Sequence, residues 1–440
     1  MLNSSTEQAL SNQPVDEVVC PFSAAAPRAT NIEQTGLSES LLLELLAKHL
    51  LSNGVLTREQ LVKLLGVSGG VIQHLLDAAK SLAWVENRQS TGDEQMRFAL
   101  NQAGEAFARQ ALARSGYVGL APVPLEQYSP ICHNQSSLSN TVTYATLTEA
   151  YRDINLPSNI IFQIGPALNS NRPILIYGAA GTGKSYVCRH LNSLFGDTIL
   201  IPYAIAIKNE IIQLFDAELH EKVDEPESSN QLQLTKGHDP RWLKCRRPLR
   251  ITGGELTADM LEVKYDPQSK TYTAPLQLKA NNGILLIDDL GRQKISPKQL
   301  FNRWIIPMEE RRDFLALPSG EHFEIPFALI LIFSTNLKPQ ELVDEAFLRR
   351  LGYKIEFEPM TEPLYRSIWF EVCSDLKLQC SNQVYQHLIE HYHQREERPL
   401  LPCYPRDLLG IISDKIKFMT LDPFVTEEMI EAAWSAYFVK

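Results

Sequence analysis

The residues best suited to chemistry lie in the segment ILIYGAAGTGKSY, where closely spaced glycines, a lysine and a serine follow a short apolar run. Gly178, Gly183, Lys184 and Ser185 fit the pattern GxxxxGK[ST]. Glycines let a backbone wrap closely around a phosphate, and the following helix adds partial positive charge. The ammonium group can neutralise the β- and γ-phosphates, and the hydroxyl group can ligate Mg²⁺. The pattern predicts a nucleotide site, and a glycine-rich turn without a ligand is the alternative. The predicted contact residues are Gly178, Ala179, Ala180, Gly181, Thr182, Gly183, Lys184, Ser185 and Tyr186.

Two adjacent carboxylates, Asp288 and Asp289, follow the apolar run ILLI. A buried strand that ends in two negative charges needs a positive partner, and a metal ion bound to a nucleotide would provide it. Because the carboxyl ends of neighbouring parallel strands meet at one crevice, we expect both segments to lie there. In this interpretation Asp288 binds Mg²⁺, directly or through water, and Asp289 activates the water that attacks the γ-phosphate. The alternative is that the pair only caps the turn DDLG.

Three further segments follow in the order typical of AAA+ ATPases, which the chain resembles over about residues 141–440. LILIFSTN is an apolar strand that ends in Asn336 and resembles sensor 1, which orients the attacking water. DEAFLRRLGYKI resembles the segment that carries the arginine finger, with Arg350 as the first candidate and Arg349 as the second. CYPRDLLGII resembles the lid helix that carries sensor 2, which makes Arg406 the candidate to contact the γ-phosphate. A turn cap for the asparagine and solvated helix faces for the arginines are the alternatives.

Two departures refine this resemblance. Most AAA+ ATPases have glutamate where Asp289 stands, and the shorter side chain leads us to expect modest turnover. Lys184 and Asp288 are 104 positions apart, which is long for a minimal core. Hairpins are predicted around DPQSK and PSG, and this arrangement resembles the MoxR-like, helix-2-insert branch. Tyr265 and Tyr272 on the first hairpin either grip a client protein or only pack against each other.

The basic stretch RWLKCRRPLR also lies between these motifs and stands out in an acidic chain. It is interpreted as a solvated edge whose long side chains extend to water. The alternative is a contact for an acidic neighbouring subunit or for nucleic acid, with Trp242 available to stack.

The region before the nucleotide motif is predicted to contain three helices, two short strands and a further helix, an order that resembles a winged-helix domain. Its third helix, SGGVIQHLLDAAKSL, offers Gln73, His74 and Lys80 as its main polar groups. DNA-reading helices usually present Arg, Lys or Asn there. We therefore expect this domain to dock a protein, with DNA binding as the alternative.

Alternation of apolar runs with helical stretches predicts the α/β class, with a P-loop core, a largely parallel sheet and a helical lid, preceded by the small winged-helix domain. The predicted boundaries are a disordered tail at 1–37, the winged-helix domain at 38–118, a linker at 119–140, the ATPase domain at 141–359 and the lid at 360–440.

Composition limits the possible functions. The 440 residues include 42 Lys and Arg against 52 Asp and Glu, so a nucleic-acid contact would need a local basic patch. The seven cysteines show no metal-binding spacing, which predicts reduced thiols in a cytoplasmic protein. The first residues lack the pattern of a signal peptide, and no apolar run approaches the ~20 residues of a membrane span.

Taken together, the resemblance implies an ATPase that uses ATP and Mg²⁺ and assembles as a homo-oligomeric ring, with six as the expected number of subunits. The ring is implied by the arginine finger, which acts on the nucleotide of a neighbour. Hydrolysis would remodel or regulate a protein partner. The alternatives are a DNA-associated ATPase, of the helicase-loader or transcription-regulator type, and a nucleotide-switched binding module with little turnover.

Overall fold

The computed structural model describes residues 25–90, 93–136, 141–223, 238–342 and 344–438. The predicted tail before residue 25 lies outside these ranges. So does most of VDEPESSNQLQLTKGHDP, a stretch whose polar residues predict a surface loop. Within them, no single helix is long and apolar enough to cross a membrane, although Arg58–Leu65 and Gly69–Ser81 meet that criterion together as a pair bent by 110°.

The described residues divide into two units, of which the first takes in 25–107, 119–121 and 238–242. Its helices are α1 (Ile32–Thr35), α2 (Glu39–Asn53), α3 (Arg58–Leu65), α4 (Gly69–Ser81) and the start of α5 (Gln102–Arg114). Its strands are β1 (Leu56–Thr57), β2 (Val85–Ser90) and β3 (Asp93–Leu100), which form an antiparallel sheet in the order β1–β3–β2. Ser38 caps α2, and Thr57 forms a reciprocal cap with Gln60 at the start of α3.

The predicted tail is wrong for residues 25–37. Asn31 caps the short helix α1 by accepting a hydrogen bond from the Gln34 N–H, and Ala26, Ala29 and Leu37 are buried. Small residues can be buried without forming an apolar repeat, so a composition rich in alanine and polar residues gave no sign of order.

Both interpretations of the basic stretch fail for its first residues. Arg241 is 2% exposed, and its guanidinium donates to the Asp239 carboxylate at 2.9 and 2.8 Å and to the Thr35 carbonyl at 3.0 Å. Trp242 is also buried and offers no surface for stacking. A carboxylate two residues away pairs with this arginine, so the stretch is partly internal.

The second unit contains all the other described residues. Its strands are β4 (Val123–Pro124), β5 (Ile174–Tyr177), β6 (Thr198–Pro202), β7 (Ala204–Ile207), β8 (Glu210–Gln213), β9 (Trp242–Arg246), β10 (Leu249–Thr252), β11 (Lys264–Asp266), β12 (Thr271–Thr273), β13 (Ile284–Ile287), β14 (Arg312–Ala316), β15 (His322–Pro326), β16 (Ile330–Thr335) and β17 (Tyr353–Glu356). Its helices before the lid are α6 (Leu125–Asn134), α7 (Tyr144–Ala150), α8 (Ser158–Asn169), α9 (Lys184–His190), α10 (Leu276–Lys279), α11 (Pro297–Glu310), α12 (Pro339–Leu342) and α13 (Glu345–Leu348). Short 3₁₀ helices span Leu191–Leu194 and Ala258–Leu261.

The predicted linker at 119–140 is also wrong over its described part. β4 pairs with β7, and α6 follows it directly and buries Tyr128 and Cys132. Pro124 precedes the first residue of this helix and Pro130 lies inside it. Prolines that looked like linker residues therefore belong to a helix and its start.

A parallel five-stranded sheet forms the centre of the second unit, in the order β10–β13–β16–β5–β17. Alternate residues of the three central strands β13, β16 and β5 enter two different apolar clusters, as Leu285 and Ile287 on one side and Ile284 and Leu286 on the other show. A sheet buried on both faces explains why its strands read as continuous apolar runs. This confirms the predicted α/β class with a largely parallel sheet.

Four strands of the long stretch between the two motifs join β4 in a second sheet, in the order β11–β12–β8–β7–β4. The predicted hairpins are present as β11–β12 and β14–β15. Tyr265 and Tyr272 face each other across the first hairpin, with ring centroids 5.0 Å apart. Their contact agrees with the packing interpretation and leaves a role with a client as a prediction.

The helical lid has an apolar core of its own. It comprises α14 (Glu362–Asp375), α15 (Asn382–Leu388), a π-helix (Ile389–Gln394), α16 (Cys403–Met419) and α17 (Glu427–Tyr437). Tyr365, Trp369 and Trp434 are among its buried residues. His393 on the π-helix is 3% exposed and lies 3.1 Å from the Tyr365 hydroxyl. The described part of the region predicted as a lid is therefore mainly helical, as expected, and its role as a lid stays a prediction.

Candidate functional site

The glycine-rich loop connects β5 to α9 and has a backbone that requires glycine. Gly178 and Gly181 have φ values of 143° and 82°, which residues with side chains rarely adopt. A Cβ atom on Gly178 would lie 2.3 Å from the Phe357 carbonyl oxygen, and one on Gly181 would lie 2.5 Å from the Cys403 sulfur. The loop is therefore enclosed by β17 on one side and by the start of the lid helix α16 on the other.

Lys184 begins α9 and points its ammonium group back into this loop. Its Nζ donates to the carbonyl oxygens of Gly178 at 2.9 Å and Ala179 at 2.8 Å, and to Asn336 Oδ1 at 2.8 Å. The side chain is 6% exposed. Burial lowers the pKa of Lys184 from its ordinary value, while the nearby carboxylates of Asp288 and Asp289 act in the opposite direction.

Asn336 connects the lysine to the twin carboxylates. It follows β16, which lies between β5 and β13 in the sheet. Its Nδ2 donates to Asp289 Oδ1 at 3.1 Å, while its Oδ1 accepts from Lys184. An amide is suited to this position because one end accepts from a cation and the other donates to an anion. Thus the structure brings Lys184, Asn336 and Asp289 together at the carboxyl edge of the sheet.

The turn after β13 is fixed by hydrogen bonds that were not predicted from the sequence. Asp288 accepts from the Asp289 N–H through its carboxylate at 3.0 Å. The Gln293 side chain donates to the carbonyls of Asp288 and Asp289 and accepts from the Gly291 N–H. A glutamine four residues after a carboxylate, in a turn that contains glycine, is a signal that could have identified this role.

The residues predicted to hold Mg²⁺ lie at the same edge. Ser185 is in the first turn of α9 and Asp288 directly follows β13, and both are half-buried. The described residues hold no group of three His, Cys, Asp or Glu side chains that could bind a metal. One carboxylate and one hydroxyl nevertheless fit Mg²⁺, which takes its other ligands from phosphates and water. Tyr186 is exposed, with its ring 4.5 Å from that of His190.

The start of α16 packs against the glycine-rich loop, and Arg406 lies in the first turn of this helix. Besides the contact of Gly181 with Cys403, a Cβ atom on Gly183 would lie 3.7 Å from Pro402. Arg406 is exposed and follows Cys403 by three residues, so both lie on one helical face. Cys403 was not predicted as a site residue, because only the folded lid shows that its sulfur closes the loop.

In contrast, Arg349 and Arg350 lie away from this loop. They precede β17, and the Gly352 N–H donates to the Pro173 carbonyl at 3.0 Å, just before β5 begins. Because β5 and β17 are parallel, both arginines are at the amino edge, opposite the loop. Arg350 pairs with Glu309 at 2.6 Å, and Arg349 with Glu345 at 3.0 Å. Neither arginine can therefore serve the site of its own chain.

Comparisons with known proteins give a family match for the lid only. A domain of unknown function (DUF8689) matches residues 361–436. A search of curated proteins gave no match.

The solved structures that match this chain include those of RuvB and NtrX. The RuvB Holliday junction branch migration motor of Thermotoga maritima is 11% identical, with a TM-score of 0.38 over 69% of this chain and 74% of that chain. NtrX from Brucella abortus is 11% identical, with a TM-score of 0.37 over 74% of this chain and 60% of that chain. Likeness at this identity and with TM-scores this low does not assign a function, which must be inferred from the site itself.

Proposed function

We propose that this protein is a P-loop ATPase of the AAA+ type that binds Mg·ATP between the α/β core and the helical lid. The observation that carries the proposal is the chain of hydrogen bonds from Lys184 through Asn336 to Asp289. These three residues follow three neighbouring parallel strands, and each has a separate task in phosphate chemistry. A glycine-rich turn without a ligand would not need a buried ammonium group beside two carboxylates.

The residues of the chain would divide the reaction as follows. Backbone N–H groups of the loop surround the phosphates, and Lys184 exchanges its carbonyl acceptors for phosphate oxygens. Ser185 and Asp288 would hold Mg²⁺, which supplies neutralisation of the charge on the phosphates. Asp289 takes the proton of the attacking water, and Asn336 holds that carboxylate and the water in line. Arg406, on the lid face that contacts the loop, is proposed to reach the γ-phosphate.

An arginine from another copy would complete the site. Arg350 lies at the opposite edge of the sheet from its own loop, so it can act only on the nucleotide of a neighbour. This arrangement supports a homo-oligomeric ring, for which we propose six subunits, with Arg349 as the second candidate for the finger.

The first unit is proposed to be a winged-helix domain that docks a protein. Its helices and strands follow the order expected of that fold, and the polar side chains of α4 are already engaged within the unit. Gln73 donates to Asp77, His74 lies 3.1 Å from Glu39, and the Lys80 ammonium lies 5.0 Å from the Phe98 ring centroid. Few groups remain on this helix for base edges. We therefore propose that hydrolysis remodels or regulates a protein partner, in the manner of the MoxR-like branch.

Nucleotide binding and phosphate release of the full chain test the proposal. The wild type should bind ATP and release phosphate, and chelation of Mg²⁺ should stop release. Lys184→Ala should lose affinity for ATP by about tenfold or more, since a buried cation no longer meets the phosphates. Asp289→Asn should bind ATP without releasing phosphate. Lys294→Ala, an exposed lysine of the same region, is the matched control and should behave like the wild type.

Other results would point elsewhere. A folded wild type without affinity for adenine nucleotides, or a Lys184→Ala variant that binds like the wild type, would refute the proposal. Binding without any phosphate release from the assembled protein would indicate a nucleotide-switched module. Stimulation of hydrolysis by DNA, with an affinity that falls steeply with salt, would indicate a DNA-associated ATPase.

A further inference from the structure

Asp289 has a strained backbone that is fixed on both sides. Its φ of 51° lies in the left-handed region, which costs a residue with a side chain about 1–3 kcal/mol. On one side the Asp288 N–H donates to the Thr252 carbonyl of β10 at 2.8 Å. On the other side the Leu290 N–H donates to the Ser334 carbonyl of β16 at 2.8 Å. The direction of the Asp289 carboxylate therefore depends on the peptide groups between these anchors.

One side-chain amide contacts three peptide groups of this turn. Gln293 Nε2 donates to the carbonyl oxygens of Asp288 at 2.7 Å and Asp289 at 3.1 Å. Its Oε1 accepts from the Gly291 N–H at 2.8 Å. The bonded atoms belong to three consecutive peptide groups, from the one before Asp289 to the one before Gly291. A single half-buried side chain thus opposes rotation of the whole strained turn.

We propose that Gln293 is a positioning residue that aims the Asp289 carboxylate at the attacking water. It acts through the backbone of the turn and does not touch the nucleotide. The inference rests on the proposed ATPase function and names the residue that sets the geometry of its base. A misplacement of about 1 Å at a reacting group can lower a rate by about 100-fold, so relaxation of this turn should affect turnover far more than binding.

Gln293→Leu tests this role because it keeps a similar volume and removes all three hydrogen bonds. The turnover number should fall about 10- to 100-fold, whereas KM and the Kd for ATP should stay within about twofold of the wild type. Gln293→Glu is the second variant: it keeps an acceptor for the Gly291 N–H but sets a carboxylate against two carbonyl oxygens. The same loss of turnover is expected.

Gln299→Leu provides a matched control on the same segment. Gln299 accepts from Ser296 at the start of α11, so its loss weakens a helix cap and should cost about 1 kcal/mol of stability without changing turnover. Thermal unfolding of the three variants separates folding from catalysis.

The outcomes distinguish the inference from the function on which it rests. A wild type that binds no ATP refutes both. Hydrolysis by the wild type together with unchanged turnover in either Gln293 variant refutes only the inference. If the Gln293 variants lose turnover and ATP affinity together, the role of Gln293 is merely structural and the inference is overturned. The same holds if their loss of turnover is no larger than that of Gln299→Leu.

Discussion

A mixture of an Arg350 variant with a second inactive variant tests most directly whether two copies of the chain share one site. β5 and β17 pair over four residues, which separates the two edges of the sheet by about 10 Å along the strands. Arg350 lies beyond the amino edge, so its side chain is too short to reach its own glycine-rich loop. Its pair with Glu309 is partly exposed, with 34% and 50% of the two side chains accessible. Such a pair contributes about 0–1 kcal/mol, so the loss of this ion pair would cost little if the arginine turned towards a neighbour.

The expected loss follows from what an arginine finger contributes to phosphoryl transfer. Arg350→Ala should retain ATP affinity and lose about 10³-fold or more in turnover. Asp289→Asn should be inactive for a different reason, since it lacks the base but keeps the arginine. When both variants are co-expressed and mix at random in a closed ring, about a quarter of the interfaces combine an intact site with an intact arginine. Phosphate release should then recover to about a quarter of the wild-type rate.

Arg349→Ala is the matched control for this experiment. Arg349 is 76% exposed and pairs with Glu345 four residues earlier on the same helix, so its loss should leave turnover unchanged. Full activity of Arg350→Ala would refute the shared site. So would an inactive mixture in which native mass spectrometry detects both variants in one assembly. Loss of activity only in the Arg349 variant would exchange the roles of the two arginines.

Two further predictions concern stability. Burial lowers the pKa of His393 to about 4, so the unfolded chain takes up a proton that the folded lid does not, and stability falls as the pH drops from about 6.5 towards 4. Between pH 7.5 and 5 the free energy of unfolding, measured by urea denaturation, should therefore fall by about 2 kcal/mol. If His393→Phe shows the same fall, His393 is not its cause. Gly178→Ala should lower the free energy of unfolding by at least about 2 kcal/mol, because the new Cβ atom would meet a backbone carbonyl. A Cβ atom on Gly410, within α16, would have no atom within 4 Å, so Gly410→Ala should stabilise the lid by up to about 1 kcal/mol. Equal melting temperatures for the two alanine variants would refute this reasoning.

Many features of the candidate site could be predicted from short patterns in the sequence. The glycine spacing, the twin carboxylates and the apolar strand before Asn336 are each encoded within about ten residues, and strand order at a parallel sheet edge brings them together. Helix starts at Thr57 and Ser296 were predictable for the same reason, since a cap depends on the side chain itself.

What the sequence did not reveal depends on contacts between distant segments. Cys403 lies more than 200 positions from the loop it closes, and nothing in its surroundings marks it. The buried Arg241 looked like a surface charge because its Thr35 acceptor is a backbone carbonyl, which every residue has. Gln293 was not among the predicted site residues, because its proposed role depends on the strained turn around Asp289. The residue types alone do not show that strain.

Residues 238–242 belong to the first unit, although more than 100 residues of the chain separate them from residue 107. This affects the synthesis of the chain and the choice of fragments for expression. The Asp239 N–H bonds to the Ala26 carbonyl and Arg241 to the Thr35 carbonyl, so this unit closes only after the polypeptide has passed through most of the second sheet. At ordinary rates of synthesis, the ribosome needs roughly 10–30 s to travel from residue 107 to residue 242. During that interval the front of the nascent chain lacks part of its own interior, which exposes it to chaperones. A recombinant fragment that stops near residue 118 would lack the same part permanently.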